Sequence, residues 1–204
     1  MNNKPAIIIP AWKHGPDHAA YANVTSALKV TGHHIIGQSL RWNSGTVERW
    51  QAEIVQTLHG QKDPITMCAY ELGAMPALAA ATMYPIENLI LCSPHGYYKE
   101  YITKDTFITP RWMGDIRKAE FAKLSSSELL RNLKVKNARI ILDEAELIGR
   151  PAHQEWIHDL IEATGWEVTT LPHESYGLMS PGYQKAVVTA VKEMSGETLP
   201  TNTL

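Results

Sequence analysis

Cysteine is scarce, with two in 204 residues. Cys68 and Cys92 both fall in predicted central strands, where a free thiol acts as a small apolar residue. A reducing, cytoplasmic compartment is therefore expected. Charge of one sign is lacking too. Nineteen Lys and Arg stand against 21 Asp and Glu, a net charge of −2. That balance gives no electrostatic case for nucleic acid or an anionic membrane as partner. No apolar run approaches the roughly 18 residues that span a bilayer. The apolar part of MNNKPAIIIP is too short for a signal peptide and precedes no cleavage site. No G-x-G-x-x-G follows the first predicted strand. Trp12-Lys13-His14-Gly15 stands there instead, so no nucleotide cofactor is expected.

Metal-ligand spacing is also missing, despite nine histidines. There is no H-E-x-x-H and no Cys pair at zinc spacing. His14 and His18 could share a helical turn, but His14 precedes Gly15-Pro16 and reads as loop. His33 and His34 are adjacent, so in a strand they face opposite ways. His153 and His158 are five apart and share a helix face poorly. No dedicated metal site and no cofactor are expected. A site assembled from Glu71, Glu146 and His173 is the arrangement the topology leaves open.

What is present is an alternation. Apolar runs of strand length occur at 6–9, 34–37, 65–70, 89–92, 138–142 and 168–171. Between them lie segments with apolar residues at helical spacing: Ala20, Val24, Ala27 and Leu28, with Asp17 as a candidate cap; Val47, Trp50, Ile54 and Leu58, with Thr46 as cap; and Trp156, Ile157, Leu160 and Ile161 behind Pro151. Ser180-Pro181 opens a final helix with Tyr183, Ala186, Val187, Ala190, Val191 and Met194 on one face. Continuous apolar strands separated by amphipathic helices predict an α/β fold. The expected architecture is a three-layer α/β/α sandwich of about six mostly parallel strands. One domain, 1–204, is expected, with a more polar variable insertion at about 94–134 that holds one or two short helices, the clearer at 127–133. Function in such sheets sits at the carboxyl ends of the strands.

The stretch 64–83, PITMCAYELGAMPALAAATM, reads as a buried strand, a sharp corner and a helix that is apolar all round, hence central. The corner, AYELGA, resembles the nucleophile elbow G-x-S-x-G, with Ala69 at the first glycine and Glu71 at the serine. Three further segments carry a resemblance to the α/β-hydrolase superfamily, in a compact form without a large cap. IIIPAWKHGPDH is similar to its first core strand and oxyanion loop, ILDEAELIG to the segment bearing the triad acid, and LPHESYGL to the segment bearing the triad histidine. The resemblance covers nearly the whole chain, from Ala6 to about Met194. It places Glu71 at the nucleophile, Glu146 at the acid and Tyr176 at the histidine position.

A serine hydrolase needs a hydroxyl and an imidazole to take its proton. Glu71 has no hydroxyl, and Tyr176 is a phenol of pKa about 10 and a poor base. The resemblance thus implies a hydrolase-like protein that has lost serine chemistry and binds a small molecule or a protein. Trp12, Leu72, His95 and His173 are the expected binding residues. The alternative is an active hydrolase of a small ester or amide with Glu71 as the working carboxylate, helped by His173 or His95. Tyr97, Tyr98, Tyr101 and Trp112 could roof a pocket, form a partner surface, or pack the insertion onto the sheet edge.

Overall fold

Six apolar runs become six strands of one sheet in the computed structural model, which describes residues 4–172 and 177–196. The strands are β1 (Lys4–Ile9), β2 (His33–Gly37), β3 (Thr66–Tyr70), β4 (Ile86–Cys92), β5 (Val135–Asp143) and β6 (Glu167–Leu171). Their order is β2-β1-β3-β4-β5-β6, and every pairing is parallel. The order reverses at β1, so the chain winds outward in both directions from the centre.

The helices are α1 (Ala22–Val30), α2 (Val47–Leu58), α3 (Ala74–Met83), α4 (Lys99–Ile102), α5 (Asp115–Phe121), α6 (Ser126–Arg131), α7 (Glu144–Leu147), α8 (Pro151–Thr164) and α9 (Pro181–Met194). Strand side chains alternate between two cores. Ile7, Ile9, Met67, Ala69, Leu89 and Leu91 face a core shared with α2, α3 and α8. Ala6, Ile8, Cys68, Tyr70, Ile90 and Cys92 face one shared with α1 and α9. Both central strands are thus covered on both faces, which is why they are apolar throughout. Cys68 and Cys92 are free and buried, and burial pushes the Cys68 thiol up to about 12.

Local signals act largely as the sequence indicates. Thr46 caps α2 by accepting from the Arg49 amide, Pro151 opens α8, and the Ser180 hydroxyl accepts from the Tyr183 amide at the start of α9. One cap differs. Asp17 does not open the first helical segment. A 3-10 turn at Ala19–Tyr21 precedes α1, and the His18 ring accepts from the Ala20 amide. The His14 and His18 rings stack, centroids 3.7 Å apart, and α1 proper begins at Ala22 behind Tyr21. The 94–134 stretch forms three short helices rather than one or two. No helix among the described residues is long and apolar enough to cross a membrane. His173 and Tyr176 lie outside the described residues.

The corner after β3 is a close backbone crossing. A Cβ on Gly73 would lie 2.4 Å from the Pro10 carbonyl oxygen, at the end of β1. Neither backbone can yield without disturbing a central strand. Gly73→Ala is expected to cost about 1–3 kcal/mol, read as a lower urea midpoint with an unchanged m-value.

Candidate functional site

The site is built where the carboxyl ends of β3, β4 and β5 lie side by side. Tyr70 pairs with Cys92 and Cys92 with Ile141, so the residues that follow, Glu71, Ser93 and 143–146, emerge together. Glu71 has φ +48°, a left-handed backbone that a non-glycine residue holds at a cost of order 1–3 kcal/mol. A one-residue reversal between strand and helix requires it, since the chain must turn at once from extended to helical. Ser93, at the end of β4, is held likewise at φ +50°.

The loop after β4 is tied to this corner. The His95 amide donates to the Glu71 carbonyl at 3.1 Å, and the Trp156 indole donates to the Pro94 carbonyl at 2.9 Å. His95 Nδ1 lies 3.2 Å from the Tyr97 hydroxyl. His153, from the first turn of α8, faces His95 edge-on with ring centroids 5.4 Å apart. Its Nε2 is buried without a hydrogen-bond partner. Beside them opens a cavity of about 220 Å³ walled by His95, Tyr97, Phe107, Trp112, Arg150 and His153.

Burial sets the protonation of the site. It raises Glu71, against the opposing field of Arg150. It pushes Glu146 up to about 7, with the charges of Glu71 and Asp143 adding and Ser93 and Arg150 opposing. It pulls His95 down to about 3 and His153 down to about 4, helped by Arg150. Desolvation favours the uncharged form in all four. Both imidazoles are therefore neutral at pH 7, and Glu146 is divided between acid and carboxylate. Among the described residues, no hydrogen bond or ion pair engages the Glu71 carboxylate or the Arg150 guanidinium.

The expected site residues fall as follows. Glu71 is at the strained corner, and Glu146, on α7, feels its charge. His95 lines the cavity. Leu72 is 1 % exposed and belongs to the core. Trp12 stacks on Trp112 at 4.8 Å, and its ring carries the Arg117 guanidinium at 4.6 Å, so it supports the cavity wall from behind. Tyr97, Tyr101 and Trp112 line the cavity, whereas Tyr98 is buried against Trp156.

Two residues have no role in the sequence analysis. Asp143, in the same segment as Glu146, is completely buried. It accepts from the Ala145 amide at 2.9 Å and from the Gly177 amide at 3.2 Å. Its position at the last residue of a strand was the available signal. Arg150 precedes Pro151, and nothing local marks it. His153, set aside for its poor spacing to His158, instead lines the cavity.

Comparison with solved structures places this geometry. Est1E from Butyrivibrio proteoclasticus superposes with a TM-score of 0.74 at 16 % identity, covering 96 % of this chain and 88 % of that one. A second structure of Est1E, with ferulic acid bound, gives 0.72 at 16 % identity over 95 % and 88 %. Alpha/beta hydrolase domain-containing protein 10 from mouse gives 0.69 at 13 % identity over 97 % and 92 %. The fold is that of the α/β-hydrolases. No family model and no curated protein matches the sequence. The strained residue after β3 is a glutamate, and the Ser93 hydroxyl at the end of β4 is fully buried, 2.9 Å from the Tyr183 hydroxyl.

Two measurements follow from these energetics. Glu71→Gly relieves the left-handed backbone and removes a buried carboxyl, so stability should rise by about 1 kcal/mol. Glu146 carries the second. Below its ordinary value of 4.5 it is protonated folded and unfolded, and its contribution is fully present. As pH rises, the unfolded chain ionises first, so that contribution is lost until the folded group titrates near 7. Glu146→Gln should therefore gain on the wild type between pH 4.5 and 7, by on the order of 1–3 kcal/mol, and by no more above 7. Paired urea titrations read the difference. The opposite trend from His95 and His153, whose lowered values cost stability as pH falls below 6.5, is common to both proteins and cancels.

Proposed function

We propose that this chain is an α/β-hydrolase-like protein that binds a small molecule with an aromatic body and an anionic end, without serine-hydrolase chemistry. The carrying observation is the corner itself, where a strained backbone presents Glu71 instead of a hydroxyl beside an aromatic cavity with one cation, Arg150, on its wall. Tyr97, Phe107 and Trp112 suit a planar apolar body. Arg150, in no direct ion pair among the described residues although its field reaches Glu71 and Glu146, suits the anionic end as a two-pronged donor. The neighbour Est1E with ferulic acid bound supports trying that class of ligand.

One observation favours a second reading, hydrolysis of a small ester or amide by carboxylates. Glu71 keeps a costly conformation and an unengaged carboxylate next to Glu146, which titrates near neutrality. A strained group beside one poised between acid and base is a pattern of acid–base sites.

Calorimetric titration with ferulic or cinnamic acid tests the first reading. Saturable binding is expected, about 10-fold weaker in Arg150→Met, the loss of one charge-assisted contact. Hydrolysis of an aryl acetate is measured alongside, in the wild type and in Glu71→Ala. Equal, background rates accompany the binding reading. Saturable turnover that collapses in Glu71→Ala overturns it in favour of the carboxylate hydrolase.

A further inference from the structure

We propose that His95, Glu146 and His153 form a binding site for a divalent first-row transition metal. The three come from three segments: the loop after β4, α7 and the first turn of α8. Their donor atoms all lie within 4.8 Å of one another. Donors held at about 2.1 Å by one zinc-like ion stand about 3.4 Å apart in tetrahedral geometry. Closure by little more than about 1 Å, within the reach of side-chain rotation, would bring them into one coordination sphere.

The hydrogen bonding around the imidazoles supports this use. His95 spends Nδ1 on the Tyr97 hydroxyl, which orients the ring and leaves Nε2 available. An outer partner on the second ring nitrogen is the usual support of a ligating histidine. His153 Nε2 is buried and unpartnered. A buried polar atom without a partner costs about 1–3 kcal/mol, a cost that coordination would remove. Two imidazoles and one carboxylate are a donor set for zinc, iron, manganese or cobalt, with positions left for water or a ligand.

One group opposes a cation, the Arg150 guanidinium, which acts on both histidines. It is exposed, so solvent screens it. The carboxyl groups of Glu71 and Glu146, whose charges act on one another, lie on the same side and would balance it as a cation draws them into their ionised forms. An ion held here would sit on the wall of the aromatic cavity, where His95 and His153 both lie. The site does not depend on the ligand proposed above, and the metal alone is the probe.

Equilibrium dialysis of the tag-free full chain against Zn²⁺ tests it. About one zinc per chain is expected, with affinity falling at least about 10-fold in His95→Ala, His153→Ala and Glu146→Gln. The control is His158→Ala, which breaks the largely exposed His158, Asp159 and Glu162 group on α8 and should change nothing. Zinc should also raise the melting temperature of the wild type and not that of the three variants. If His153→Ala fails to fold, Glu146→Gln reads the same site. The proposal falls if the wild type takes up no stoichiometric zinc, if uptake survives in all three variants, or if His158→Ala abolishes it. None of these outcomes bears on the binding of an aromatic acid, so the two proposals fail separately.

Discussion

The passage of Gly73 against the carbonyl of Pro10 fixes how the chain leaves β3, and most of the site hangs on it. With no side chain in the gap, α3 begins directly above the end of β1, and the whole reversal is forced onto one residue. That residue is Glu71, held left-handed. Its carbonyl then receives the His95 amide, which sets the loop after β4 and the cavity wall it carries. A buried, featureless helix behind the corner makes the arrangement stiff. Every face of α3 except its C-terminal end is covered, so the corner cannot relax by tilting the helix.

The electrostatics follow from the same burial. Two carboxyl groups are raised and two imidazoles lowered, each first by desolvation. All four move toward their uncharged forms because a low-dielectric pocket penalises either sign of charge. The pocket therefore avoids the cost of buried charge by shedding it, and leaves the screened, exposed Arg150 as its cation. Such a site has donor and acceptor atoms in excess of its internal partners, His153 Nε2 being the clearest case. Unspent capacity of this kind is what a bound group can use.

The layered fold was legible from residue pattern, as were the strained corner and the caps at Thr46, Pro151 and Ser180, because each rests on neighbours within a few residues. Apolar runs mark strands buried on both faces, and helical spacing marks the faces that cover them. The start of the first helical segment differs: His18, not Asp17, caps the 3-10 turn that precedes α1. The segment ILDEAELIG holds three acids, Asp143, Glu144 and Glu146, and composition could not separate the completely buried Asp143, which binds two backbone amides, from Glu146, which reaches the site.

Residue pattern alone set which residues are strand, which helix faces are buried, and that a glutamate stands at the corner. The tertiary structure alone decided which distant groups meet. His95, Glu146 and His153 share no spacing, because spacing reports position along one element and these three stand on separate segments. They converge only because parallel β3, β4 and β5 end at one edge, in a register set by the whole sheet. The same holds for Trp12, whose place behind the cavity is set by Trp112 and Arg117 from another segment. Local chemistry chooses the conformation of each element. Packing of the elements chooses its neighbours.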